Sequence, residues 1–316
     1  MQEFLHHHRA LGKRFLNEEK ALQLFDHFLF DLGCLSLPEI TPALLERFLA
    51  SRRRPVAKSY NHLLGVLRRW FEWLVRQQRL SRSPLVLRPR RLTGSRPPFI
   101  FDSEQARRLL AVADALPDNN RGHQRGLVYR TIFALLYGLG LRVGEVARLR
   151  LKDVDWDRGV LNILHTKFAK SRLVPFGPKL GTQLREYLRQ RGSPWAPSQP
   201  DDPLFTFGPE KTRAIHPGTV SQTFRQLVPK LGLSIPDGVA PPRLHCLRHS
   251  FAVGTLLRWY RIGVDPRQRL HHLSTFLGHV HPASTVVYLT VTVELLREAN
   301  ERFERAAAPL VQGVER

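Results

Sequence analysis

Cysteine is nearly absent: Cys34 and Cys246 are the only two among 316 residues, far apart and with no CxxC spacing. This excludes a disulfide framework and a thiolate zinc site, and it fits a reducing compartment. Long hydrophobic runs are missing too, none approaching the roughly 20 apolar residues that cross a bilayer. The opening MQEFLHHHRALGKRF is polar and broken by charges, unlike a secretory signal. There is no internal repeat and no low-complexity tract. The expectation is a folded cytoplasmic protein without a membrane partner. Acidic residues are also scarce, with 27 Asp+Glu against 49 Lys+Arg and a formal net charge of +22. So basic a chain gains affinity for nucleic acid by displacing counterions from phosphates, a term that weakens steeply with salt. Arginine outnumbers lysine, which suits planar, two-pronged phosphate contacts.

What is present is enough for a core, since 42% of the residues are hydrophobic and the length allows two ordinary domains. Helical spacing of apolar residues predicts helices over 18–33, with Gly33 as a stop, over 41–52, and from Ser59 onward through SYNHLLGVLRRWFEWLVRQQRL. In the last of these, Leu63, Leu67, Trp70, Phe71 and Leu74 share one face, with Arg68, Arg69, Glu72 and Arg76 on the other. The segment SRSPLVLRPRRLTGSRPP mixes proline and arginine with no apolar period, so it reads as an extended linker. We therefore expect a helical DNA-binding domain over 1–87, a basic linker over 88–98 and a second domain over 99–316. Arg53, Arg54, Arg68, Arg69, Arg88, Arg90 and Arg91 are the candidate DNA-contacting residues, and each reads equally as part of a solvated face.

The second domain opens with Asp102 and Gln105 at capping-box spacing ahead of a helix. GLVYRTIFALLYGLGLRVGEVARLR then reads as a long buried helix, a break at Gly138 and Gly140, and a shorter helix near Arg142. GVLNIL and SRLVPF are β-prone runs separated by HTKFAK, a hairpin with a longer loop. Further helices are expected over 178–192, 218–231, 245–259 and 292–306. The fold class is mainly α with a small antiparallel β-sheet.

The chemistry-bearing residues are Arg142 in GLGLRVGE, Lys167 in the hairpin loop, His245 and Arg248 in HCLRH, His279 in LGHVH, and Tyr288 nine residues beyond. Singly each has an ordinary reading: Arg142 and Glu145 as a surface pair, His245 and His249 as core or capping histidines, Tyr288 as a packed aromatic. Taken in this order the set resembles the tyrosine recombinase, or phage integrase, family, and the resemblance spans essentially the whole chain. It implies that Tyr288 is a nucleophile forming a 3′-phosphotyrosyl bond, which conserves bond energy so that rejoining needs neither ATP nor metal. Arg142 and Arg248 would clamp the phosphate oxygens, Lys167 would protonate the leaving 5′ oxygen, and His279 would hydrogen-bond the phosphate. His245 would serve as acid/base partner of the phenol, because an imidazole near pKa 6.5 exchanges protons at working pH. Glu145 resembles the acid that holds the first arginine.

The expected partners are double-stranded DNA and further copies of the chain, as a homo-tetramer on paired sites, with a related recombinase or accessory protein as a further option. No cofactor and no metal are expected. KDVDWDRG lacks the glycine and closing glutamate of a calcium loop and reads as a polar turn, while His271, His272, His279 and His281 carry no zinc signature. The interval from Arg248 to His279 is long for the family's compact members, as if RWYRIGVDPRQRLHH were inserted. That favours a transposon-borne member. The C-terminal VELLREANERFERAAAPL reads either as an arm docking on a neighbouring protomer or as a helix packed on its own chain. A non-cutting DNA-binding protein, a type IB topoisomerase and a metal-dependent nuclease are the alternatives. The expected location is the cytoplasm, on the nucleoid.

Overall fold

The computed structural model describes residues 1–34, 36–92, 94, 96–120, 122–164, 171–207, 213–290, 295–298, 300 and 301. It divides into two compact units, Met1–Ser95 and Arg96–Arg316.

The first unit is all helical: α1 (Gln2–Ala10), α2 (Leu16–Asp31), α3 (Pro42–Ser51) and α4 (Ala57–Arg76). Thr41 caps α3 by accepting the Leu44 N–H, and Pro42 takes the first helical position, where a missing N–H costs nothing. The central element is α4. Leu63, Leu67, Trp70, Phe71 and Leu74 are buried as their spacing predicts, but so are Leu64, Val66 and Trp73, because neighbours cover more than one stripe of it. Sequence reading did not anticipate α1, whose buried Phe4 meets Trp73 edge to face at 5.9 Å.

The basic stretch after α4 is not a free tether over its first part. The Asn61 amide donates to the Arg90 carbonyl at 2.8 Å and accepts the Arg90 N–H at 2.7 Å, while Arg68 donates to the Leu87 carbonyl at 2.9 Å. The Arg90 guanidinium lies 3.9 Å from the centre of the Tyr60 ring. One side-chain amide thus supplies the donor and acceptor that a neighbouring strand would.

The second unit begins with α5 (Ser103–Asp114), whose capping box is formed as expected, and the buried α6 (Arg125–Gly138), followed by the short α7 (Val143–Val146). Three strands follow: β1 (Val154–Asp155), β2 (Val160–Ile163) and β3 (Arg172–Pro175), paired antiparallel in the order β1-β2-β3. Val154 faces Leu161, and Leu161 faces Val174, so three apolar side chains meet on the core side. KDVDWD was expected to be only a turn; Asp153 closes a 3₁₀ turn, and the next two residues form β1, too short to show an alternating pattern. The hairpin loop 165–170 lies outside the described residues.

Then come α8 (Pro178–Trp195), α9 (Pro217–Leu227), α10 (Cys246–Arg261), α11 (Pro266–Leu277) and α12 (Ala283–Val286). The helix expected over 218–231 ends at Leu227 and continues as a 3₁₀ turn, because the ring of Pro229 clashes with an α-helical carbonyl four residues back. The long interval after Arg248 is two consecutive helices. Asp265 caps α11 by accepting the Arg267 N–H at 2.9 Å, Pro266 starts it, and Gly278 ends it in the left-handed conformation. The expected 292–306 helix is described only at residues 295–298, 300 and 301. There Leu295 is fully buried and Arg261 pairs with Glu298 at 3.1 Å, so this turn packs on its own unit; residues 302–316 lie outside the described residues. Among the described residues no helix is long and apolar enough to cross a membrane.

Candidate active site

The site is built where α7, β3, α10, the end of α11 and the turn after α12 meet. Two left-handed glycines shape it. Gly140, at φ +59°, ends the helix–loop before Leu141 and lies so close to Phe251 that a Cβ would stand 2.5 Å from its ring. Gly278, at φ +66°, would place a Cβ 2.9 Å from Arg172 Nη1. Only glycine adopts this backbone without penalty and also permits such close approach. Both sit beside carbonyls that receive arginines. Arg248, 1% exposed, donates through Nη1 to the Gly140 carbonyl and through Nη2 to that of Leu277, each at 2.6 Å. Arg142 donates through Nη2 to the Gly278 carbonyl at 2.9 Å.

Glu145 is the hub. Its carboxylate accepts from the Arg142 backbone N–H at 2.8 Å and from Arg142 Nη1 at 2.9 Å. Arg172 approaches from β3 and donates Nη1 to Oε1 at 2.9 Å and Nη2 to Oε2 at 3.0 Å, while its Nε holds the Phe276 carbonyl at 2.7 Å. Burial alone would raise the Glu145 carboxyl, but the Arg172 hydrogen bonds and charge, with Arg142 behind them, hold it down at about 2. The carboxylate stays charged and holds two guanidiniums in place.

Glu145 is thus the carboxylate of a cluster of three guanidiniums: it is bonded to Arg142 and Arg172, while Arg248 is held by the two carbonyls alone. Burial, with the repulsion of Arg142, pushes Arg248 down to about 10, and its Nε is buried with no hydrogen-bond partner among the described residues. Charge buried this way without a full countercharge is costly, and an incoming anion relieves it.

His245, His249 and His279 ring the arginines. Burial, reinforced by Arg248, Arg142 and His279, pushes His245 down to about 4. Burial, then Arg248, Arg142 and Arg172, does the same for His279. Both are neutral imidazoles near pH 7. His279 Nδ1 is hydrogen-bonded to Thr285 Oγ1 at 2.7 Å, which fixes its ring nearly parallel to that of Tyr288, 6.3 Å away between centroids. The His245 side chain has no hydrogen-bond partner among the described residues. It lines a cleft of about 420 Å³ with Val143, Ser221, Arg225 and Arg243. A larger cleft of about 690 Å³ beside Glu145 sets Arg148, Arg150 and Lys152 against Asp153, Asp201 and Asp202, and so lacks the site's excess of positive charge.

Tyr288 is 3% exposed and belongs to a buried cluster that includes Ala252, Val253 and Leu256 of α10. Burial raises its phenol above the ordinary value, against the opposing pull of Arg248 and Arg142. Its Oη lies 2.8 Å from His249 Nδ1.

Of the residues singled out from sequence, Arg142, Glu145, His245, Arg248, His279 and Tyr288 come together here. Lys167 lies outside the described residues. The seven candidate DNA-contacting arginines all belong to the first unit. Arg53, Arg88 and Arg91 are exposed, whereas Arg54 donates to Ser59 at 3.0 Å and Arg69 pairs with Glu18 at 3.4 Å. Sequence reading missed Arg172, seen only as part of the β-prone run SRLVPF; a charged residue on the core side of a strand was the available signal. It also left His249 as an ordinary helix histidine, although its spacing of four from His245 puts both on one face.

A mainly helical unit with a small sheet, presenting an arginine cluster to a buried tyrosine, is the architecture of DNA-recombinase catalytic domains. The Tn1549 transposon integrase in complex with transposon right-end DNA superposes with a TM-score of 0.63 over 97% of this chain and 98% of that one, at 16% identity. A λ integrase dimer bound to a core site gives 0.60 over 91% of this chain and 76% of the other, at 17% identity. At the level of sequence, residues 100–294 match the model of the phage integrase family. The chain is 36% identical to y4rB of Sinorhizobium fredii, itself assigned only provisionally as an integrase/recombinase, over 96% of each chain. It is 31% identical to the tyrosine recombinase XerA of Thermococcus onnurineus, over 85% of this chain and 82% of that one. The chain belongs to the phage integrase family, and its enzymatic class is that of the tyrosine recombinases.

Proposed function

We propose that this chain is a site-specific recombinase of double-stranded DNA that cuts and rejoins strands through a 3′-phosphotyrosyl bond to Tyr288, without metal or ATP. The observation that carries this is the undercompensated trio Arg142, Arg172 and Arg248 around Glu145, set beside a tyrosine and neutral histidines. It is a site charged to receive a phosphodiester. Oη of Tyr288 attacks phosphorus, the bond to the 5′ oxygen breaks, and Lys167 supplies that oxygen's proton. The phenol's proton leaves through the histidine cluster, with His245 as the acceptor whose nitrogens are uncommitted. Rejoining runs the same steps backwards. Arg142 and Arg248, already held by carbonyls, stabilise the crowded phosphorus without reorganising, and each contributes about 3 kcal/mol to barrier lowering. Arg172 acts through Glu145 rather than on the phosphate.

DNA-bound relatives of the same fold support DNA as the partner, and assembly as a tetramer on two sites, with half of the active sites engaged at a time, follows for this chain by family analogy. The transposon integrase likeness favours a mobile element as host, acting in the cytoplasm on the nucleoid.

The deciding experiment is covalent trapping in EDTA on nicked duplexes tiled across the DNA flanking the gene. Wild type should give a protease-sensitive shifted band on a denaturing gel, and Tyr288→Phe should give none while binding DNA within a few-fold. Equal adduct from both proteins overturns the assignment, and an adduct that disappears with EDTA overturns the metal-free chemistry. Lys167→Ala should slow cleavage yet regain it on a substrate with a 5′-bridging sulfur, whose departure needs no proton; no regain removes Lys167 as the acid.

A further inference from the structure

We infer that His249 is a positioning residue for the nucleophile, aiming the Tyr288 phenol at the arginine cluster through the hydrogen bond between its Nδ1 and Oη. The inference rests on the reading of Tyr288 as nucleophile and adds a residue to it. The geometry is local and complete. Cys246–Arg261 is one helix, so Arg248 and His249 are adjacent on it and His245 lies one turn before them. The same rigid element that holds the phosphate-binding guanidinium therefore also holds the phenol. His249 is itself held, since the His245 ring meets it edge to face at 4.6 Å and the Tyr288 ring lies 5.4 Å away.

Tyr288 needs such a partner. It stands in a single 3₁₀ turn, Val287–Thr290, which is a weak support for a group that must meet phosphorus in line. The hydroxyl of a residue only 3% exposed is costly to leave without a hydrogen bond, and among the described residues His249 is the partner it has. The contact is a hydrogen bond rather than a proton transfer. Burial, with His245 and Arg248, pushes the His249 imidazole down to about 4, and burial raises the phenol, so the phenol is far too weak an acid to protonate this ring. In the DNA-free protein His249 thus aims the oxygen while the proton stays on it; an arriving phosphate offsets the arginine charges that depress the imidazoles, which opens the transfer assigned above to His245.

Single-turnover adduct formation on nicked duplex should separate the roles, with melting temperature and DNA affinity measured on each variant. His249→Ala is expected to form adduct ten- to a hundredfold more slowly at unchanged DNA affinity. His249→Asn, whose amide reaches the position of Nδ1, is expected to recover to within a few-fold of wild type. His249→Gln, which reaches the position of Nε2 instead, is expected to remain slow. Should the alanine variant fail to fold, the order of Asn over Gln still decides. Wild-type rates in the alanine variant, or equal rates in Asn and Gln, overturn the inference. A second measurement needs no cleavage: in ¹⁵N-histidine NMR, the Nδ1 resonance of His249 should move on Tyr288→Phe, and an unmoved resonance also overturns it. If the resonance moves but wild type yields no adduct, the hydrogen bond stands while Tyr288 as nucleophile, and with it the catalytic meaning of His249, falls.

Discussion

Glu145 and Arg172 are joined by two parallel hydrogen bonds, of 2.9 and 3.0 Å, across 27 residues of sequence, with the carboxylate side chain 2% exposed. The pair ties the strand that follows the hairpin loop to α7, which Arg142 precedes, and through Phe276 to the end of α11. It is the joint on which the site is assembled. Breaking either partner leaves a buried charge, which costs about 3 to 5 kcal/mol. Glu145→Ala and Arg172→Met should each lose stability on that scale in urea denaturation and should lose adduct formation as well. The double variant Glu145→Leu, Arg172→Met should recover most of the stability and none of the activity, because apolar residues can fill the space but cannot hold Arg142. Additive losses in the double variant would show that the two residues are not coupled.

Gly278→Ala tests the turn at the end of α11. A Cβ there meets Arg172 Nη1 at 2.9 Å, and the left-handed backbone at φ +66° costs about 1 kcal/mol for any residue with a side chain. Stability should fall by that order, while adduct formation should fall much further, because Arg172 is displaced from Glu145 and the carbonyl that holds Arg142 moves. Matching small effects on both would argue that the turn tolerates the methyl group.

Acid should destabilise the second unit in two stages. His245, His249 and His279 are depressed to about 4, below the ordinary value near 6.5, so the unfolded chain takes up protons first. Their contribution is complete above about pH 6.5 and is lost as pH falls towards 4. Glu145, depressed from 4.5 to about 2, adds a further loss below pH 4.5. The melting temperature should be level near pH 7 to 8 and should drop from pH 6.5 downward. A melting temperature that rises over that interval would contradict the burial of these rings.

The arginines of the first unit divide into two groups. Arg53, Arg88 and Arg91 are exposed and make no hydrogen bond or ion pair among the described residues, whereas Arg90 donates to the Arg54 carbonyl at 2.8 Å and stacks on Tyr60. Replacing the first three by Ala should leave melting unchanged and reduce the salt slope of DNA binding by roughly 0.9 for each phosphate that is no longer neutralised. Arg90→Ala should instead lower stability by about 1 kcal/mol. An unchanged salt slope in the triple variant would remove these side chains from the interface.

Much of this was legible along the chain. Asp102 with Gln105, Thr41 with Pro42, and the apolar face of α4 act within one or two turns of helix, so their consequences could be read from local spacing. The helix α11 was signalled by Asp265, Pro266 and Gly278, but the apolar pattern between them is sparse and the stretch resembled an insertion. Strand β1 was hidden because a pair of residues has no periodicity; Val154 is a strand residue only because Leu161 lies opposite it.

The order Arg142, His245, Arg248, His279, Tyr288 is a property of the sequence, as are the positive charge, the near absence of cysteine and the helix-rich class, since residue type and short-range spacing carry all of these. Which arginine is clamped by which carbonyl, the pairing of Glu145 with Arg172, and the pairing of His249 with Tyr288 belong to the tertiary structure. These contacts join residues 27 to 136 positions apart, and no local propensity links such partners. They arise when the packing of α10 against α6 and α11 brings the ends of those elements to one place, where burial makes every unpaired polar group costly and so selects which partners meet.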